Sequence, residues 1–505
     1  MKKNLLLFCV SCFLSYSTHA SLIDSGVTVN ELSHFSLDTL GSHDKLAKNL
    51  WHKSNPETLF PLIDKIGTTK LSPASKKILI TLLTQDSTGF DFINTQSENL
   101  FLIKRIEALV RVGAFKEAIE LIDLIPMQSL NQNLFLIKAN IHLALGHFEE
   151  VEKIIQDMDQ TRQTDETRIN LFLEKEERNK AVLSYEIYRD NQEINNPLFS
   201  ALAENILLEL DTNIPNEETV NIEHIFLISR LKNQSFDLEK QSDGIKKIFV
   251  NLPAPKIEDR INYAEKINLT ADELASIYQL PLLDSNIDKN HLRRAEIYQK
   301  IKAETDPFAK AEWLKTFIKI AIQDKLGLSL APLIIQKLDG ILPQQEYKDL
   351  AFYAAQIYIL HNNLEKANEW YQILKNEKDD SYQKQRLLLI PGMQKLGAGI
   401  PDETESLLNH FCSDLTKENC SQFWQKSAQI FYETLPNTKP NRPPLMIFDY
   451  MNQDQSEKTG ENLIKAIFDL NDETVTDKHS LLFFIKQNYP QDISLPLELE
   501  GTLYQ

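Results

Sequence analysis

The sequence predicts an all-α fold, a solenoid of antiparallel helical hairpins stacked side by side. Three observations predict it. Apolar residues recur at three- and four-residue spacing along most of the chain, with short polar turns between the stretches. Glycine makes up only 14 of 505 residues. It supplies the backbone angles of β-hairpins, bulges and phosphate loops, so a large β-barrel or a dinucleotide-binding fold is disfavoured. A helix–turn–helix pattern also recurs from Gly113 to Gly146, an offset of 33 residues. A single hairpin cannot bury its own apolar face, so each must lean on the next.

The first element is residues 1–20. Lys2 and Lys3 precede the apolar run LLLFCVSCFL, and small residues end at Ala20. This basic–apolar–small order predicts a secretory signal peptide cleaved after Ala20. The run is shorter than the roughly 20 residues of a spanning helix. A lipidated Cys12 and an uncleaved anchor are the rival readings of this segment. Cleavage removes Lys2 and Lys3 and takes the formal charge from −18 to about −20. It also removes Cys9 and Cys12, leaving Cys412 and Cys420. In an oxidising compartment these two are expected to form a disulfide, with two free thiols as the alternative. The expected location is periplasmic or secreted, with no membrane span in the mature chain.

Residues 21–99 read as an irregular lead-in followed by helices, with a loop at 85–97. Residues 100–435 read as the solenoid. Leu100, Ile103, Ile106, Leu109 and Val110 form one stripe, and Gly113-Ala114 breaks it. Phe115, Ala118, Ile119, Leu121 and Ile122 form the next, which Pro126 stops. The pattern repeats through Leu136, Leu143, Gly146, Phe148, Val151, Ile154 and Ile155. Pro253 and Pro255 interrupt it. The four prolines of 436–444 define a linker, and residues 445–505 are expected to carry two helices, near 457–470 and 477–488.

The hairpins resemble the tetratricopeptide repeat, whose core is Gly-x-Tyr/Phe-x-x-Ala. The copy at 102–126 matches in Gly113, Phe115 and Ala118. The copy at 135–158 matches in Gly146 and Phe148 and departs at Val151, where the family prefers a small residue. A third copy at 351–375 carries Leu364 and Ala367, with Asn362 at the glycine position. The resemblance implies a right-handed superhelical arc with a preformed groove. Segments such as NLWHKSNPETLFPLIDKI and GENLIKAIFDL further resemble exported, helix-rich alphaproteobacterial proteins of unassigned function. That resemblance implies compartment and fold and carries over no catalytic residue.

The chain has no Gly-rich phosphate loop, no Gly-x-Ser-x-Gly and no His-Glu-x-x-His. Asp284, Asn286 and Asp288 resemble the start of a calcium loop, but Lys289 and Ala295 stand where the turn glycine and the bidentate carboxylate belong. The segment therefore reads as a turn that caps a helix starting near Lys289. His142 and His147, with Glu149 and Glu150, are the densest set of metal-ligand types. They straddle the repeat turn: on a continuous helix they would face apart, but Gly146 between them leaves their geometry open. His142 stands at a position that packs within the repeat, and His147 is expected to be exposed. Glu405-Ser406 resembles the pair of lytic transglycosylases, but without the rest of that family's pattern it reads as a solvated helix face. Trp51, Trp313, Trp370 and Trp424 stand at helical spacing and read as core rather than sugar platforms.

The expected function is therefore binding without catalysis, with no cofactor and no metal. The partner is another protein or a peptide, and the carboxylate excess favours one with a basic surface. The same excess disfavours nucleic acid. The alternative is a cell-wall-associated factor that binds peptidoglycan or regulates its enzymes.

Overall fold

A computed structural model of the chain describes residues 40–41, 51, 54–69, 71–85, 100–126, 131–158, 161–190, 196–215, 220–231, 238–267, 269–282, 289–324, 326–399, 401–404, 406–407, 410, 459–471, 481 and 485. Among the described residues there are twenty α-helices and no strand. The all-α class read from the sequence is what the structure has. Ala20, Cys412, Cys420, Trp424, the loop at 85–97 and the linker at 436–444 lie outside the described residues.

The first described helices are α1 (Pro56–Lys65) and α2 (Pro73–Thr84). Each begins with proline, whose missing N–H falls among the unpaired donors of a first turn. The Asn55 and Ser72 side chains cap them, accepting from the N–H groups of Glu57 and Ser75. Then come α3 (Leu100–Arg111), α4 (Phe115–Asp123), α5 (Gln132–Ala144), α6 (Phe148–Gln156), α7 (Arg162–Glu174), α8 (Arg178–Asp190) and α9 (Pro197–Leu207). Two short helices follow, α10 (Ile222–Ile228) and α11 (Asp243–Asn251). The remainder are α12 (Ile257–Ala264), α13 (Ala271–Tyr278), α14 (Asn290–Ala303), α15 (Pro307–Gln323), α16 (Gly327–Leu338), α17 (Lys348–Leu360), α18 (Leu364–Lys375), α19 (Asp380–Lys395) and α20 (Thr459–Asn471). As expected from Pro253 and Pro255, α11 stops before them and α12 starts after them.

Four hairpins share one turn. A residue in the left-handed region closes each: Gly113 at φ +80°, Gly146 at +75°, Glu176 at +60° and Asn362 at +58°. Its N–H donates to the carbonyl three residues back, and the following N–H donates to the carbonyl five residues back. Thus Gly113 bonds to Val110 and Ala114 to Leu109, at 3.0 and 2.9 Å. Glu176 bonds to Leu173 and Glu177 to Phe172, at 3.1 and 2.8 Å. The paired bonds satisfy carbonyls that the ended helix leaves open. Five residues beyond each turn residue stands a side chain with no exposed surface: Ala118, Val151, Ala181 and Ala367. Val151 packs as completely as the alanines, so the larger residue does not loosen its hairpin. Phe115 is buried, while Phe148 and Leu364 pack half-buried against the core.

The α7–α8 hairpin has no counterpart in the sequence reading. Its turn residue is a glutamate, and it lies 30 rather than 33 residues after Gly146. The turn chemistry is nevertheless the same. The C-terminal segment also differs from expectation. Helix α20 falls where the first of its two helices was expected, but it does not stand apart. It packs on α1 and α2. Asn471 accepts the Ser72 N–H at 2.7 Å and donates to the Ser75 hydroxyl at 2.9 Å. The chain's last described helix therefore shares a core with its first two.

Candidate binding cleft

The first helices of the leading hairpins do not present a free face. Helix α10 packs on α7, and α11 packs on α3. The α11–α3 approach is close because Gly244 has no side chain; a Cβ there would sit 1.9 Å from the Val110 carbonyl oxygen. Lys76 of α2 pairs with Asp243 at 2.5 Å, and the Lys247 ammonium lies 5.3 Å from the centre of the Phe115 ring. On α10 and α11, Ile225, Phe226, Leu227, Ile248 and Val250 have no exposed surface. Burial of several such side chains contributes about 1.5–3 kcal/mol each, so this cover is core and not a loosely held strap.

Polar side chains bridge the covered face. Asn140 on α5 donates to the Glu223 carboxylate on α10 at 2.8 Å and accepts the Thr167 hydroxyl of α7 at 3.2 Å. Asn170 donates to the Glu223 carbonyl at 2.9 Å. Glu166 accepts from the Tyr188 hydroxyl at 2.9 Å and from the Asn196 amide at 3.0 Å. His224 Nδ1 accepts the Asn221 N–H, which leaves Nε2 as the protonated nitrogen, 3.3 Å from the Asn196 carbonyl oxygen. Burial pushes Glu166 up to about 7, helped by the nearby Glu223. Burial also raises Glu223, and burial with the Arg162 charge takes His224 down to about 4. An acid, a neutral imidazole and a phenol at hydrogen-bond range could serve proton transfer. Here all of them are sealed among α7, α8, α9 and α10, and they fasten those helices.

An open site lies further along the chain. A cleft of about 700 Å³ is lined by α14, α15, α17 and α19. Arg293, Lys315 and Lys319 give it a basic side, and Asp349 and Asp379 give it an acidic side. Tyr353, Tyr382 and Ile320 supply the apolar surface. The exposed Arg293 and Lys319 have no anionic partner among the described residues, whereas Lys315 pairs with Glu312 at 2.5 Å. The Tyr382 hydroxyl donates to Asp349, which raises the phenol's pKa and keeps its proton in place. Asp379 accepts the Ser381 N–H at 2.8 Å.

Buried charge sets the position of this lining. Arg294, next to Arg293 on α14, holds both oxygens of Glu265 at 2.8 and 2.5 Å and also reaches Asp324. Glu265 takes the Tyr278 hydroxyl as well, at 2.5 Å. Burial alone would lower the Arg294 pKa, but its bonds to Glu265 and Asp324 raise it above the ordinary arginine value. The forked pair locks α14 to the ends of α12 and α15 and turns the adjacent Arg293 to the cleft. The volume falls in the range of ligand pockets. None of the lining residues is a histidine or a cysteine, so the groups present suit recognition of charge and apolar surface.

The residues read from the sequence fall elsewhere. Gly113, Phe115, Ala118, Gly146, Phe148, Val151, Leu364 and Ala367 lie in the hairpins and do not line this cleft. Trp51 and Trp370 are buried, and Trp313 packs half-buried under Lys300. Ala295 is fully buried, and Asp284, Asn286, Asp288 and Glu405 lie outside the described residues. Helix α14 begins at Asn290, near where the sequence places it, with Lys289 as an N-cap that makes no side-chain capping bond. His142 and His147 do not face apart: the Gly146 turn brings their Nδ1 atoms to 3.3 Å. No cleft residue was singled out beforehand. They are ordinary surface charges spread from 293 to 385, and only the packing of four helices joins them.

Among the described residues no three His, Cys, Asp or Glu side chains gather as a metal-binding set, and no helix is long and apolar enough to cross a membrane. Comparison with protein families, curated proteins and solved structures finds no match to this chain.

Proposed function

We propose that the protein is an exported, non-catalytic scaffold of tetratricopeptide-like hairpins that binds a segment of another protein in the cleft between α15, α17 and α19. The observation that carries this reading is the contrast between two faces. The face of α3, α5 and α7 is filled by the chain's own α10 and α11, whereas the face of α15, α17 and α19 is open and lined by charges of both signs. In a stacked array the α17 part of this face corresponds to the face of α3, α5 and α7, each of which is the first helix of its hairpin. A peptide carrying basic side chains toward Asp349 and Asp379, and an anionic group toward Arg293 and Lys319, complements the lining. The net charge of −18 steers partners with a basic surface toward the molecule before the cleft selects among them.

The test is crosslinking of the full chain in its native host, followed by affinity measurements with the captured protein. A specific partner whose binding weakens with salt, and falls about tenfold or more in Lys319→Glu and Asp349→Lys, supports the reading. Unchanged affinity in both variants, or recovery of cell-wall glycan alone, overturns it.

A further inference from the structure

The α5–α6 turn carries two imidazoles at a separation that has chemical meaning. His142 stands in the last turn of α5, and His147 is the N-cap of α6. Gly146 reverses the chain between them, and the His147 N–H donates to the His142 carbonyl at 2.9 Å. The two Nδ1 atoms lie 3.3 Å apart, with ring centroids 5.5 Å apart and planes inclined at 46°. Two zinc–nitrogen bonds of about 2.0–2.1 Å at a tetrahedral angle place their nitrogens about 3.3–3.4 Å apart. The side chains therefore already hold the spacing that a chelated cation imposes.

We propose that His142 and His147 form a two-histidine chelating site for a late first-row divalent cation, coordinated through both Nδ1 atoms. His147 is exposed and His142 half-buried, so a hydrated ion reaches the pair from solvent. The paired turn bonds fix the backbone on both sides and limit the freedom lost on binding. In the metal-free protein one Nδ1 carries the proton that lies between the rings. On coordination that proton moves through solvent to the outward Nε2 of the same ring, and both Nδ1 lone pairs face the ion. No third protein ligand completes the set among the described residues, so water or a donor from a bound partner fills the other positions. Such an open pair of imidazoles favours copper over nickel and zinc, in the order general for nitrogen ligands.

The experiment titrates the untagged full chain with Cu²⁺, and separately with Zn²⁺, by calorimetry, and records the Cu²⁺ spin-resonance spectrum. One equivalent of each metal, with two-nitrogen coupling in the copper spectrum, is expected. His147→Ala, an exposed position outside the core, removes that equivalent with the circular dichroism and melting temperature retained. His142→Gln removes it as well. No saturable equivalent of either metal, or one that survives His147→Ala, overturns the proposal.

Discussion

Asn140 on α5 donates its amide to the carboxylate of Glu223 on α10 at 2.8 Å, across a face that a stack of hairpins would otherwise offer to a ligand. The bond is one of several that tie α10 to α5 and α7. Asn140→Leu takes the amide donor from the Glu223 carboxylate, while the Thr167 hydroxyl keeps the Gln163 carbonyl at 2.8 Å. A buried polar group left unpaired costs about 1–3 kcal/mol. Chemical denaturation should show a loss of that size, and a neutral result would mean that α10 is held by apolar contact alone.

Glycine has two different roles along this chain, and alanine substitutions separate them. At Gly244 an added Cβ meets the Val110 carbonyl, so α11 must back away from α3. Overpacking of this kind costs about 3 kcal/mol. At Gly146 nothing lies within 4 Å of the added atom, and only the left-handed backbone resists, at about 1–2 kcal/mol. The expected order of melting temperatures is wild type, then Gly146→Ala, then Gly244→Ala. The reverse order of the two variants would refute the close packing of α11 on α3.

Glu176 predicts a gain. It is exposed, makes no ion pair among the described residues, and holds the left-handed turn at φ +60°. Glycine adopts that conformation without the steric cost of a Cβ. Glu176→Gly should stabilise the protein by about 1 kcal/mol, read as an upward shift in the denaturation midpoint. A loss instead would show that the side chain supports the hairpin.

Glu166 and His224 are joined through Asn196 and act oppositely with pH. Glu166 is raised from 4.5 to about 7, so its contribution to stability is full below pH 4.5 and is lost as pH rises through 7. His224 is lowered from 6.5 to about 4, so its contribution is full above pH 6.5 and is lost as pH falls through 4. Each amounts to roughly 3 kcal/mol, and between pH 4.5 and 6.5 the two slopes nearly cancel. Removing one exposes the other. Glu166→Gln, which keeps the acceptor for Tyr188, should gain stability relative to wild type as pH rises from 4.5 to 7. His224→Gln should lose less stability than wild type as pH falls from 6.5 toward 4, so that it gains relative to wild type on acidification. Denaturation midpoints at pH 4.5, 5.5 and 7.5 decide this, and parallel profiles for all three proteins would contradict it.

Much of the fold was legible because its signals are local. The 3.6-residue apolar period marks α3 to α6, and glycine is the residue that a left-handed turn prefers, so Gly113 and Gly146 announce their hairpins. Glu176 hides the third hairpin because its conformation is imposed by neighbouring helices rather than preferred by the residue. Helix α10 is buried from His224 to Ile228 and α11 from Gly244 to Val250, yet nothing in their sequence says that they fold back on α7 and α3. Gly244 becomes informative only once Val110 is seen beside it. The cleft was illegible for the same reason: Arg293, Lys319, Asp349 and Tyr382 meet only through tertiary packing. His142 and His147 straddle Gly146, and the sequence leaves their mutual placement open because it does not say how the glycine turn sets two side chains; the closed turn brings their Nδ1 atoms to 3.3 Å.

The central claim is that the open face of α15, α17 and α19 receives the partner while the face of α3, α5 and α7 is closed. A photo-crosslinking residue introduced at Tyr353, in the cleft, and at the exposed Leu183 on α8 compares the open face with an outer surface in the native host. The account predicts one discrete intermolecular product from position 353, abolished by adding Lys319→Glu, and none from position 183. Products from position 183 alone, or from position 353 irrespective of residue 319, would contradict it.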